Sequence, residues 1–231
     1  AAGALEHDRV VDMVRHTFAD LPAGAPAARE AARYVGGDVR VDRDLEQVHI
    51  TLGFEGLAYD DDDYYAASVL SALLGGGMSS RLFQEVREKR GLVYSIYSYQ
   101  SAYADGGLFG VYAGTGSGEV TELMPLIADE LNKVRLSVDE DEVARARAQL
   151  KASILMSLES TSSRCEQLAR QMLIYGRPVP AEEIVAKVDA VTADDVVRVA
   201  ERLFSTKPTL SAIGPLANLE ADDTFAARLS A

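Results

Sequence analysis

Arg87 and Tyr94 stand seven residues apart in the run Gly75–Tyr103, GGGMSSRLFQEVREKRGLVYSIYSYQSAY. A guanidinium offers a rigid fork of N–H donors that suits a carbonyl. A phenol ordinarily keeps its proton at neutral pH and can donate to an oxygen that is gaining negative charge. Together they could bind and polarise a peptide group. The helix charges single out Arg87. Arg81 with Glu85, and Glu85 with Lys89, are four apart and can pair along the helix surface. Arg87 has Phe83, Gln84, Arg90 and Gly91 at three and four, so its own helix offers it no acid. It is a solvated arginine, one paired to another element, or a cation kept for a ligand.

Three elements in succession must position the pair. Gly75, Gly76 and Gly77 break the preceding element, and Ser79 or Ser80 can cap a new helix. Leu82, Phe83 and Val86 give that helix a narrow apolar stripe, and Lys89, Arg90 and Gly91 suit its C-terminus. A strand follows. Strict alternation from Leu92 places Tyr94 and Ile96 on one side and Val93, Tyr97, Tyr99 and Tyr103 on the other. A tyrosine ladder is more often half-buried sheet surface than a site.

The rest reads as scaffold. Residues 1–21 are the end of a strand or turn and a helix striped by Val10, Val11, Val14 and Phe18, which alone cannot bury that face. Residues 22–33, PAGAPAAREAAR, carry no strand pattern and read as a linker. Strands are expected at Tyr34–Val41, Gln47–Glu55 and Leu108–Thr115, the last returning from a turn at Ala104–Gly107, and at Pro208–Ile213. Helices are expected after Asp60–Asp63 and over Glu119–Arg135, Asp139–Glu159, Ser163–Tyr175, Ala181–Ala190 and Thr192–Phe204. This order predicts an α+β fold: a largely antiparallel sheet with helices packed on one face, over residues 34–220, with 221–231 as a tail.

Composition narrows the function classes. The 231 residues carry a net charge of −13, which argues against nucleic acid and is compatible with basic peptides or simply with solubility. No apolar run approaches bilayer length, so no membrane partner is expected. The lone Cys165 permits no internal disulfide and, with Leu168, Ala169 and Met172 at helical spacing, reads as a buried core thiol. The chain starts without a methionine and reads as starting mid-domain.

The ordered run LLGGGMSSRLFQEVREKRGLVYSIYSY resembles the second half of the insulinase-like (M16) zinc metallopeptidases, closest to their bacterial, processing-peptidase-like branch. The resemblance covers roughly Tyr34–Pro215 and implies a half-domain of the LuxS/MPP-like fold. It implies that Arg87 and Tyr94 bind the substrate backbone around the scissile bond, with Gly76 and Gly77 as further substrate-binding positions. It also implies that 1–21 is the tail of a preceding half-domain that carries the zinc, as part of the same parent chain or as a separate subunit. The short Gly75–Met78 turn departs from the long glycine-rich loop of alpha-type processing subunits, and is equally a plain tight turn.

The family's zinc motif, H-x-x-E-H, is missing. His7, His16 and His49 are the only histidines and none has that partner spacing, so no metal site is expected in this chain. His49 falls on the polar side of its strand, solvent-facing or bonded to a neighbour. The expectation is therefore the substrate-binding half of a zinc endopeptidase, inactive alone. Its expected partners are a peptide and a zinc-bearing half, and a dimer is possible. The competing readings are a structural relative that has lost catalysis and a peptide-binding subunit. The bacterial resemblance implies a soluble protein of cytoplasm or periplasm.

Overall fold

In the computed structural model, which describes residues 1–22, 24 and 30–230, a five-stranded sheet carries helices on one face. The strands are β1 (Gly37–Asp42), β2 (Val48–Gly56), β3 (Val93–Ala102), β4 (Gly107–Thr115) and β5 (Thr209–Gly214), in the spatial order β1-β5-β2-β4-β3. Three of the four pairings are antiparallel, and only β1 with β5 is parallel. The largely antiparallel α+β expectation therefore holds. The helices are α1 (His7–Thr17), α2 (Tyr64–Gly75), α3 (Val120–Leu136), α4 (Glu140–Ser157), α5 (Thr161–Tyr175), α6 (Ala181–Asp189), α7 (Ala193–Phe204) and α8 (Asp222–Ser230). A π-helical turn, Phe83–Glu88, lies between α2 and β3.

Alternation decides the two faces of the sheet. Val48, Ile50, Leu52 and Phe54 of β2 point into the core, and β4 answers with Phe109, Val111 and Ala113. Phe54 and Phe109 both meet Phe204 of α7 edge-on, at centroid distances of 5.0 and 5.5 Å. Helix α2 is buried on several sides because β3, α4, α6 and α7 all pack on it. The opposite face has no helix on it among the described residues. There Val39, Val41, Tyr97, Leu108 and Ile213 are exposed.

Two local expectations change, and one holds. Cys165 is only half-buried: α5 buries Gln171 alone and leaves Leu168, Met172 and Leu173 exposed, so the helical stripe faces solvent and forms no core. Helix α1, as expected of a piece that cannot bury its stripe alone, buries nothing, and Met13, Val14 and Phe18 are exposed. The stretch 221–231, read as a tail, contains α8, whose Phe225 and Leu229 are buried beside α3. Part of the predicted linker, residue 23 and residues 25–29, lies outside the described residues.

Candidate functional site

The glycine turn and the short helix are built by close approach. A Cβ on Gly75 would stand 2.3 Å from the Ser98 backbone nitrogen of β3, so only glycine lets the end of α2 touch the strand. A Cβ on Gly76 would stand 2.6 Å from Ala72 Cα, and one on Gly77 would meet Gln149 Nε2 at 3.0 Å. Gln149 of α4 donates Nε2–H to the Gly76 carbonyl at 2.6 Å. Packing against α2, β3 and α4 thus accounts for these glycines; Gly76 is exposed and Gly77 half-buried. Ser80 does not cap with its side chain: its hydroxyl donates to the Gly77 carbonyl at 2.6 Å.

The helix that follows opens into a π turn, closed by Lys89 N–H donating to the Gln84 carbonyl at 3.0 Å, five residues back. Leu82 and Val86 are fully buried and seat it on the core. Its charges pair differently from the sequence expectation in one respect. Glu85 takes Lys89, as expected, and also Arg90 at 3.2 Å. Arg81 instead crosses to α4, with Nε and Nη2 donating to the two oxygens of Glu142 at 2.9 and 2.6 Å. It also reaches the Ser137 carbonyl at 3.2 Å. Along-helix spacing could not reveal a partner 61 residues away. These bonds hold the Glu142 and Glu85 carboxyls below their usual range, through Arg81 and Lys89 respectively.

After Gly91, at φ +66°, the chain enters β3 with Thr115 Oγ1–H donating to the Leu92 carbonyl at 2.6 Å. The ladder with β4 then skips a residue: Val93 pairs Thr115 and Ser95 pairs Gly114. Tyr94 is the extra residue of this bulge. The two-sided assignment from strict alternation is therefore corrected. Val93 and Ile96 are both buried, while Tyr94 is 74% exposed and no longer shares Ile96's side.

The structure brings Arg87 and Tyr94 together. The Arg87 guanidinium carbon lies 5.8 Å from the Tyr94 ring centroid and 4.8 Å from that of Phe83. Among the described residues Arg87 makes no ion pair and no side-chain hydrogen bond. Its in-plane donors are free. A cation over ring faces, with its donors unspent, can bind a neutral carbonyl.

Sequence reasoning did not single out the aromatic group next along the open face. Tyr97 and Tyr112 stack at 4.9 Å, and Tyr112 shares a hydrogen bond of 2.7 Å with His49 Nδ1. The alternation of β2, β3 and β4 contained the signal, but only the register makes these residues neighbours. His49 is the strand histidine expected to be solvent-facing or bonded to a neighbour, and it is bonded. Among the described residues no group of three or more His, Cys, Asp or Glu is arranged to hold a metal ion, so these residues do not fit a zinc site.

Comparison with known proteins gives a family. Residues 1–150 match the peptidase M16 inactive domain. An uncharacterized zinc protease of Streptomyces coelicolor is 42% identical over 231 residues, covering 96% of this chain and 50% of that protein. The uncharacterized zinc protease YmxG of Bacillus subtilis is 38% identical over 178 residues, covering 77% and 44%. A probable mitochondrial-processing peptidase subunit beta of Arabidopsis thaliana is 36% identical over 244 residues, covering 99% and 46%. The chain thus spans about half the length of the curated relatives it matches. A chain of complex III from Candida albicans superposes with a TM-score of 0.86 at 24% identity, covering 97% of this chain and 56% of that one, which is a likeness of fold.

Proposed function

The chain belongs to the peptidase M16 family, as a half-domain of the inactive type, and from that membership we propose that it is the substrate-binding half of a zinc endopeptidase. The observation that carries the reading is the Arg87 guanidinium lying over the Tyr94 ring, with the Arg87 donors left unspent. Arg87 binds a substrate carbonyl beside the scissile bond through its in-plane N–H groups. Tyr94, raised from the strand by the bulge, donates its O–H to the oxygen that gains charge as the carbonyl is attacked. Gly76 and Gly77 belong to the same reading as positions that present no side chain to the peptide; the Gly76 N–H and carbonyl and the Gly77 carbonyl are already bonded to Ala72, Gln149 and Ser80.

The zinc and the water it activates would come from the other half-domain, which several relatives' names as zinc proteases support. Residues 1–21 belong with that preceding half in this reading, and residues 22–33 link the two. The exposed apolar side of α1 supports this assignment, because such a stripe buries only against a partner. No helix of the described residues is long and apolar enough to cross a membrane.

The test is cleavage of a fluorogenic peptide by this chain with zinc, alone and mixed with the zinc-bearing half. The expected result is no cleavage alone and cleavage by the mixture, abolished by a chelator. Tyr94→Phe and Arg87→Ala each lower the mixture's rate about a hundredfold, the usual loss for one donor to a developing oxyanion. Full activity in both variants sinks the assignment of the pair. An assembled but inactive mixture favours the reading of a non-catalytic relative.

A further inference from the structure

Arg87 is a long side chain with free donors, and left to itself it would sample many rotamers. Two rings restrict it: Phe83 at 4.8 Å and Tyr94 at 5.8 Å from the guanidinium carbon. Rings over a guanidinium cover its faces and leave the edges, where all five N–H donors lie, open to a ligand. The surrounding acids do not compete for it. Glu85 is engaged by Lys89 and Arg90, Glu142 by Arg81, and Glu88 adjoins Arg87 directly, at a spacing that does not face it on a helix. Phe83 itself is only half-buried, while its neighbours Leu82 and Val86 supply the core contacts, so its ring is not needed to seat the helix.

The π turn adds a second observation. It begins at Phe83 and contains Arg87, and its wider winding sets where Arg87 stands relative to the Phe83 ring four residues earlier. Such turns cost hydrogen-bond regularity, and they occur frequently at functional sites.

We propose that Phe83 is a positioning residue that acts through Arg87, holding the guanidinium edge-out for a peptide carbonyl. The inference rests on the reading of Arg87 as a substrate-binding group. Phe83 touches no substrate; it removes rotamer freedom before binding.

The first measurement is on this chain alone: the Arg87 Hδ and Hε resonances. In the parent protein they are shifted upfield by ring currents. Phe83→Leu keeps apolar bulk and moves them downfield, and Phe83→Tyr leaves them in place. The second uses the mixture with the zinc-bearing half. Phe83→Leu lowers kcat/KM about tenfold, as expected for a lost cation–ring contact, and Phe83→Tyr restores it. Added to Arg87→Ala, Phe83→Leu has no further effect. Unmoved Arg87 resonances in Phe83→Leu overturn the proposal. So does an equal rate loss with and without Arg87, which marks a merely structural role. If every mixture is inactive, the cleavage reading fails, and the Arg87 resonances still decide what Phe83 does.

Discussion

Replacing Arg81 by Met leaves the Glu142 carboxylate without its fork of donors and frees the helix that carries Arg87. The side chains of the pair keep 16% and 23% exposure, and its two bonds are 2.9 and 2.6 Å. Removing one partner of a fully buried pair costs about 3–5 kcal/mol. Residual solvent contact reduces that figure, while the lost bond to the Ser137 carbonyl adds to it. The net expectation is about 2 kcal/mol, or a drop of about 1 M in the urea midpoint followed by far-UV circular dichroism. The pH dependence gives a second check. The folded-state pKa of Glu142 is depressed, first by Arg81, from an ordinary value of 4.5. Its contribution is therefore complete above that pH and is lost as pH falls through the depressed value. The gap between parent and Arg81→Met should be full at neutral pH and shrink under acid. The cycle of Arg81→Met with Glu142→Gln should show coupling above about 1 kcal/mol. Additive losses, or a gap that does not change with pH, would refute the claim that this pair pins the helix.

Gly75→Ala should cost about 2 kcal/mol in urea unfolding, because its Cβ meets immovable backbone at 2.3 Å and the gain in helix propensity is smaller. Gly77→Ala, facing the movable end of Gln149, should cost less than about 1 kcal/mol. Phe225→Ala should cost about 3 kcal/mol in a single cooperative transition, since its side chain is 1% exposed; a separate early transition would mean that α8 does not belong to the core. Asp195 completes the capping box of α7, whose N-cap is Thr192, and hydrogen bonds from Thr192, followed by Arg198, hold its carboxyl down at about 2. Its stabilising effect is present above the ordinary value near 3.8 and disappears as pH falls towards 2. Asp195→Asn should therefore remove about 1 kcal/mol at pH 7 in thermal unfolding and almost nothing at pH 2, after allowance for solvent screening.

The element order was legible because each signal in it is local. Alternation in Val48–Phe54, the acids before Tyr64 and the glycine after Tyr175 are read within a few residues, and each marks a real strand or helix end. What failed was anything set by distant partners. Cys165 and its helical neighbours look like a core stripe, yet whether a stripe is covered depends on what packs there. The nine residues of α8 give no strong periodicity, so this helix is visible only through its burial beside α3. Arg81 had an acid four residues away and chose another across the fold, because Glu142 offered two oxygens in fork geometry in a half-buried place.

The Arg87–Tyr94 contact depends on two departures from regular structure. In a regular α-helix leading into a regular strand, Tyr94 would follow Leu92 and Ile96 towards the helices, away from solvent. Instead, one extra residue is wound into the helix as a π turn and one is pushed out of the strand as a bulge, on either side of the positive-φ turn at Gly91. The first sets where Arg87 stands over Phe83; the second carries Tyr94 out of the buried row. Each irregularity gives up ladder or helix regularity. Irregularities on either side of one turn that bring together one cation and one phenol fit the substrate-binding role proposed for the pair, in which one ligand uses both.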